Sequence, residues 1–363
     1  MFTRFVHMVE RIFDWIKYRV GRRINSAPSL MIMPYIGFGS ERFIDLKGRV
    51  LEDTRIKPSK ETDRIWDNLL NMYRRFESDE VPHARVLARF QDLEQEFSAD
   101  EEGYFEVTLH LEKPLSHELS WQKMDLELLE PPIPGNGRVK IEGQVMIVPP
   151  RADFGVISDI DDTVVYTGVT SRLKLASTIL LKNAYTRLPL KGVAEFYNAL
   201  QQGSGEGNWN PLFYVSSSPW NMYDLFREFF QINKIPDGPI FLRDWGIERH
   251  SILAVKNQKY KLDAIYNILD RFPELKFILI GDSGEEDPEI YTQVIRDYPQ
   301  RILGAYIRDV KHNPSRVDEI LKLAEQVESN GSVLVLAENA LVMADHAAQQ
   351  GWISSSAVSQ PGE

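Results

Sequence analysis

Apolar residues change their spacing twice along this chain, and the changes divide it into parts. From residue 2 to about 24, Phe2, Phe5, Val6, Val9, Ile12, Phe13, Ile16 and Val20 recur at steps of three and four. That period predicts an amphipathic helix. From about 29 to 150 the pattern shortens. Candidate strands fall at Leu30–Phe38, Ala84–Phe90, Gly103–Leu111, Met124–Leu129 and Val139–Ile147. Turn formers such as Pro134-Gly-Asn-Gly137 separate some of them, and Pro149-Pro150 closes the region. Short strands at this spacing predict a β-sandwich-like domain, interrupted by a helical stretch near 63–75.

From Asp153 onward short apolar runs alternate with helical patterns. The runs are Phe154–Ser158, Leu212–Val215, Ile240–Leu242, Phe277–Ile280, Leu303–Ile307 and Val333–Leu336. Helical patterns between them include Tyr223–Phe230, Lys261–Phe272 and Ile290–Tyr298. Alternation of this kind predicts an α/β domain with a Rossmann-like, doubly wound, mostly parallel sheet. The insert at 164–192 is short enough to form a small helical cap beside a site. The expected organisation is therefore a helix over 1–28, a β-rich domain over 29–150, an α/β domain over 151–340, and a C-terminal helix with a flexible tail over 341–363.

Composition narrows the function classes. The 363 residues carry a formal net charge of −11, with 43% hydrophobic and 26% charged residues. The acidic balance argues against a general nucleic-acid binder, which would show a basic stripe. Cysteine is absent, so disulfides and Cys-ligated metal sites are excluded, which suits a reducing compartment. No apolar run reaches the length of a membrane span, and charges interrupt the N-terminal stretch too often for a signal peptide. A cytoplasmic location is expected. One segment reverses the overall sign. Arg4, Arg11, Lys17, Arg19, Arg22 and Arg23 outnumber Glu10 and Asp14 within the first helix. That helix suits either a peripheral contact with anionic lipid or packing on its own protein or a second copy.

The densest chemistry is Phe154-Gly-Val-Ile-Ser-Asp159-Ile-Asp161-Asp162-Thr163. A buried parallel strand ends here in three acids within four positions. Ligands of open α/β sheets sit outside such strand ends. Carboxylates crowded there repel one another unless a cation or protons hold them together, which points to magnesium and phosphate chemistry. Three later segments add to it: Phe213-Tyr-Val-Ser216-Ser-Ser218-Pro219, Lys259-Tyr-Lys261-Leu-Asp263, and Ile278-Leu-Ile-Gly281-Asp282-Ser-Gly-Glu285-Glu286-Asp287-Pro288. In that order the four resemble the motifs of the haloacid dehalogenase superfamily: Asp-x-Asp-x-Thr, a Ser or Thr, a Lys and a terminal acidic pair.

Roles follow from position. Asp159 can attack phosphorus and form an aspartyl-phosphate. Asp161, two residues on, can protonate the leaving oxygen and then deprotonate water. Asp159 and Asp282 are the expected side-chain ligands of Mg2+, and the resemblance implies the Asp161 backbone carbonyl as a further one. Asp162 reads as a helix cap or a solvated acid, and Thr163 as a hydrogen-bonded brace of the loop. Ser216 is expected to donate to a phosphate oxygen, with Ser217 offering its backbone N–H and Ser218 capping a helix that Pro219 begins. Lys261, at the start of a helix, is the expected phosphate-binding cation, with Lys259 and Lys256 as rivals. Asp287 precedes Pro288 as a helix cap would, and could also orient metal-bound water.

The match narrows further. Asp159-Ile-Asp-Asp-Thr163, Tyr214-Val-Ser-Ser-Ser-Pro-Trp220, Lys259-Tyr-Lys261 and Gly281-Asp-Ser-Gly-Glu-Glu-Asp-Pro-Glu-Ile-Tyr291 resemble the catalytic domain of the actin patch protein 1 type of phosphatidate phosphatase. Phe241-Leu-Arg-Asp-Trp-Gly246 and Tyr306-Ile-Arg-Asp-Val310 fit it as well. The resemblance covers about 150–312 and implies Mg2+-dependent conversion of phosphatidate to diacylglycerol. The motifs alone support phosphomonoester hydrolysis. A phosphatase for a soluble phosphomonoester and an inactive lipid-binding scaffold are the competing readings.

Overall fold

In the computed structural model the described residues are 29–52, 80–115, 120–132, 137–164, 190–205, 207–243, 253–310 and 313–355, without the side chains of 253–257. The expected helix at 2–24, the stretch near 63–75, most of the insert at 164–192 and the end of the tail lie outside them.

Among the described residues the first half holds eight strands: β1 Leu30–Pro34, β2 Gly37–Gly39, β3 Phe43–Glu52, β4 Arg85–Phe90, β5 Leu93–Ser98, β6 Tyr104–His110, β7 Trp121–Glu130 and β8 Lys140–Ile147. They join in one hydrogen-bonded sheet of order β1-β3-β2-β8-β7-β4-β5, with β6 also paired to β3. Alternation does the sorting. Val86, Ala88 and Phe90 of β4 and Phe105, Val107 and Leu109 of β6 turn inward, with more exposed neighbours between them. The single strand expected over Leu30–Phe38 breaks at Tyr35-Ile36 into β1 and β2.

The described residues of the second half hold six parallel strands: β9 Gly155–Ser158, β10 Leu212–Pro219, β11 Ile240–Arg243, β12 Phe277–Asp282, β13 Ile302–Arg308 and β14 Val333–Ala337. Their order is β11-β10-β9-β12-β13-β14. Counted within this sheet that is 3-2-1-4-5-6, the doubly wound order. Among the described residues the α-helices are α1 Val193–Gln202, α2 Tyr223–Ile232, α3 Leu253–Arg271, α4 Asp287–Asp297, α5 Pro314–Glu328 and α6 Ala340–Gln349. Strand side chains alternate between two cores. Val156, Tyr214, Ile278 and Ile280 meet α1, α2 and α6, while Ile157, Phe213, Val215 and Leu279 meet α3, α4 and α5. Strand order runs outward in opposite directions from β9 and β12, so a crevice opens at their carboxyl ends. No helix among the described residues is long and apolar enough to cross a membrane.

The two sheets share these cores. Tyr35 and Tyr104 pack into the first, and Phe38, Met146 and Val148 into the second. Arg271 Nε pairs with Asp45 Oδ2 at 2.9 Å across the junction.

Candidate active site

Asp159 follows β9 directly, and its backbone N–H donates to Ile280 O at 2.8 Å, tying the first acidic segment to β12. Asp282 ends β12 itself. The crevice between β9 and β12 therefore receives both carboxylates. Asp159, Asp282 and Asp287 are 3%, 1% and 0% exposed, and one oxygen from each lies within 4.8 Å of the others. Lys261 Nζ enters the same cluster, 2.8 Å from Asp159 Oδ1, 2.7 Å from Asp287 Oδ1 and 3.1 Å from Glu285 Oε2. Lys259 is exposed, so of these two lysines only Lys261 reaches the acids. The side chain of Lys256 lies outside the described residues. Lys261 does not begin its helix as expected; α3 starts at Leu253 and Lys261 sits in its third turn.

Four carboxylates thus face one ammonium. Burial, joined by neighbouring acids, pushes the Asp159 and Asp282 carboxyls well above the usual range against the pull of Lys261. Asp287 moves the same way, chiefly through burial. Burial alone would lower the Lys261 ammonium, but Asp159, Asp287 and Glu285 outweigh it and hold it well above the ordinary lysine range. An excess of buried negative charge is costly unless a cation offsets it. The donor set fits a divalent metal. Asp159 Oδ2 and Asp282 Oδ2 are buried with no hydrogen-bond partner among the described residues. Asp287 has no oxygen to spare: Oδ1 takes Lys261, and Oδ2 accepts from the Asp282 N–H at 3.1 Å. It stands at the first position of α4 with its carboxylate turned inward, and Glu286 takes the cap position expected of it. Gly281 permits this approach, since a Cβ there would come within 2.5 Å of Asp287 Oδ2.

Asp161 belongs to a second group. Its Oδ2 accepts from Ser216 Oγ at 2.9 Å and from Ser218 Oγ at 3.0 Å, and the Ser218 N–H donates to Ser216 Oγ at 3.0 Å. Ser216 therefore donates to a carboxylate here. Ser218 does not cap a helix: β10 continues through Pro219, and a 3-10 turn, Trp220–Met222, precedes α2. The strand outlasts its expected end because the serine hydroxyls find Asp161 and Pro219 still pairs with Arg243. Ser217 lies in the irregularity between Ser216 and Pro219. Thr163 is buried, and its hydroxyl has no partner among the described residues, so the brace expected of it is not made there. Asp162 takes a left-handed backbone (φ 51°), and its carbonyl accepts from Arg308 Nη1 at 2.7 Å.

One support had no motif to announce it. Arg316, on α5, donates to Ser283 O at 3.2 Å, to Glu285 O at 3.0 Å and to both carboxylate oxygens of Glu289. It straps down the loop that carries Asp282, Glu285 and Asp287. Glu285 reaches Lys261 from the half-exposed side of the cluster. A cavity of about 120 Å³ lies at Thr163, the end of the first acidic segment, walled also by Leu190, Phe196, Tyr197, Arg308 and Met343 among others.

A doubly wound α/β domain with a metal-fitting carboxylate cluster at its switch point defines a class, and comparison with known proteins finds relatives of that domain. Residues 154–309 match the family model described as phosphatidate phosphatase APP1, catalytic domain. Phosphatidate phosphatase APP1 of Saccharomyces cerevisiae is 36% identical over 173 residues, 46% of this chain and 28% of that protein. An uncharacterized protein of Schizosaccharomyces pombe is 33% identical over 165 residues, 44% of this chain and 26% of that protein. The match falls on the stretch whose motifs resemble that catalytic domain. The chain spans little more than a quarter of the length of these relatives. Among solved structures, a carbohydrate acetylesterase from Xanthomonas citri aligns over 84% of this chain and 75% of its own at 8% identity. The TM-score of that alignment is 0.26.

Proposed function

We propose that this chain is a Mg2+-dependent phosphatidate phosphatase, releasing diacylglycerol and phosphate through an aspartyl-phosphate on Asp159. The observation that carries the reading is the state of Asp159: one carboxylate oxygen is held by Lys261, and the other is buried without a partner at the switch point of the sheet. Asp159 attacks phosphorus, and the bond from phosphorus to the glycerol oxygen breaks. Asp161 gives that oxygen its proton. Asp161 then takes a proton from water as the water oxygen attacks phosphorus and the bond to Asp159 breaks. Ser216 and Ser218 aim the Asp161 carboxylate, with Ser216 and Ser217 positioned to take part in phosphate binding. Lys261 steadies charge on the phosphoryl oxygens. Asp159, Asp282 and the Asp161 carbonyl would hold Mg2+, with Asp287 orienting its water. The cation supplies the charge neutralisation without which a carboxylate cannot approach a phosphate dianion.

The catalytic domain, read over 151–340 and of haloacid dehalogenase type, works beside a sandwich-like β unit over 29–150. The cavity at Thr163 favours an amphiphilic substrate, since Leu190, Val193, Phe196 and Met343 offer apolar walls beside Lys191 and Arg308. The basic, amphipathically patterned segment over 2–24 would bring this acidic protein onto anionic lipid from the cytoplasmic side.

The test is phosphate release from phosphatidate in mixed micelles, with and without Mg2+, for wild type and Asp159→Asn. Release that needs Mg2+ and falls at least about a thousandfold in the variant is the expected result. Equal rates in both proteins would remove Asp159 as nucleophile. Release from sugar phosphates but from no lipid would leave a phosphatase of soluble esters. No release from any ester would leave a lipid-binding scaffold.

A further inference from the structure

The serines that aim Asp161 are poorly fixed by their own sheet. The pairing of β10 with β9 ends at Tyr214↔Ser158. On its other side β10 pairs through Ser216↔Leu242 and next through Pro219↔Arg243, with an irregularity between. Ser217 and Ser218 therefore stand outside the ladder. A bulge re-aims side chains near active sites at the cost of local pairing, so something else must hold it.

The holding group comes from the other sheet. Tyr35, at the corner between β1 and β2, stacks on Trp220 with ring centroids 4.2 Å apart and planes 22° apart. Trp220 is the second residue after Ser218. The Tyr35 ring also lies 4.5 Å from that of Tyr223, and the next backbone N–H, of Ile36, donates to Tyr223 OH at 2.6 Å. Lys47 Nζ stands 5.5 Å over the Trp220 ring and 5.0 Å over that of Tyr104. Tyr35 and Trp220 are 2% and 7% exposed. The segment from Ser216 to Tyr223 is thus gripped at one end by Asp161 and at the other by the β-rich unit.

We infer that Tyr35 is a positioning residue for Asp161: by fixing Trp220 it holds the bulge whose two hydroxyls orient the Asp161 carboxylate. This rests on the phosphohydrolase reading of the site and gives the β-rich unit a part in it. The clamp acts on orientation rather than on substrate binding, so its loss falls on kcat and spares KM.

Tyr35→Ala and Tyr35→Leu remove the stacked ring, Tyr35→Phe keeps it, and Phe38→Ala removes an aromatic from the same corner. Phe38 packs on Phe43, Phe213, Phe241 and Phe272, on the opposite face of the α/β sheet. With micellar phosphatidate and with p-nitrophenyl phosphate, the Ala and Leu variants should lose about tenfold to a hundredfold in kcat. KM should stay within about twofold. Tyr35→Phe should keep wild-type kcat, and Phe38→Ala should keep it despite a lower Tm. Hydrogen exchange at the amides of 216–223 should quicken in Tyr35→Ala and Tyr35→Leu while that of Val156–Ser158 holds. Wild-type kcat in Tyr35→Leu, an equal loss in Phe38→Ala, or failure of Tyr35→Phe to rescue would overturn the clamp. If the wild type hydrolyses no phosphomonoester, the functional reading falls separately. Hydrogen exchange then judges the clamp, and unchanged protection at 216–223 overturns it.

Discussion

Lys261 shows what a single residue carries here. Its three ammonium protons meet Asp159, Asp287 and Glu285, and it is buried with two of them. Removing one partner from a buried ionic cluster leaves the rest uncompensated, at a cost of about 3–5 kcal/mol. Lys261→Met should lower the unfolding free energy by that much in urea titrations with chelator present. Lys261→Arg should not restore it, because a planar fork does not match three carboxylates gathered around a point charge. The choice of Lys261 over Lys259 was legible in helical phase. Lys261, Ile265 and Ile268 follow the i, i+4, i+7 stripe, and Lys259 lies off it. Starting the helix at 261 hid this, because the turns before it, from Leu253, lack a strong apolar signal.

At the scale of elements, the acidic segments were readable because charge halted apolar runs abruptly. Their supports were not, because they come from strands and helices remote in sequence. Arg316 touches the Asp282–Asp287 loop only because the sheet order brings α5 beside α4. Two strands escaped for a related reason. β3 interleaves Asp45, Lys47 and Arg49 with its apolar side, and β5 is an edge strand with Glu94, Gln95 and Glu96 exposed. The serines of β10 read as a helix start until Asp161 was there to receive them. Arg316→Ala should weaken Mg2+ binding, read by calorimetry, by about tenfold to a hundredfold, since groups that orient metal ligands carry effects of that size. A pH signature should accompany it. Burial works against the charge on Glu289, yet its two-pronged pairing with Arg316 holds that carboxyl below the ordinary glutamate range. A lowered folded-state value stabilises above the unfolded value and loses that contribution as pH falls through the folded one. The stability gap between wild type and Arg316→Ala should therefore be full at neutral pH and narrow below about pH 4 in urea titrations at each pH.

Over the whole molecule, alternating strands and helices gave the α/β class, while strand order and the junction came only from the assembled chain. The apolar pattern marks a residue as inward without saying whose core it enters. Phe38 and Met146 belong to strands of the first sheet yet complete a core of the second, and Arg271 of α3 binds Asp45 of β3. An interface built from core residues couples the stabilities of the parts it joins. The β-rich and α/β units should therefore unfold together. Calorimetry of the full chain should give one transition, and residues 151–355 expressed alone should lack cooperative unfolding and near-ultraviolet circular dichroism. Phe38→Ala, which opens a buried aromatic cluster at the junction, should cost about 3–5 kcal/mol. The loss should appear at the same denaturant midpoint whether the probe sits in the first sheet or the second. Two separated midpoints would mean that the cores are independent. The β-rich unit could then not transmit position to Asp161 through Tyr35, because a clamp between units holds only while both are folded as one.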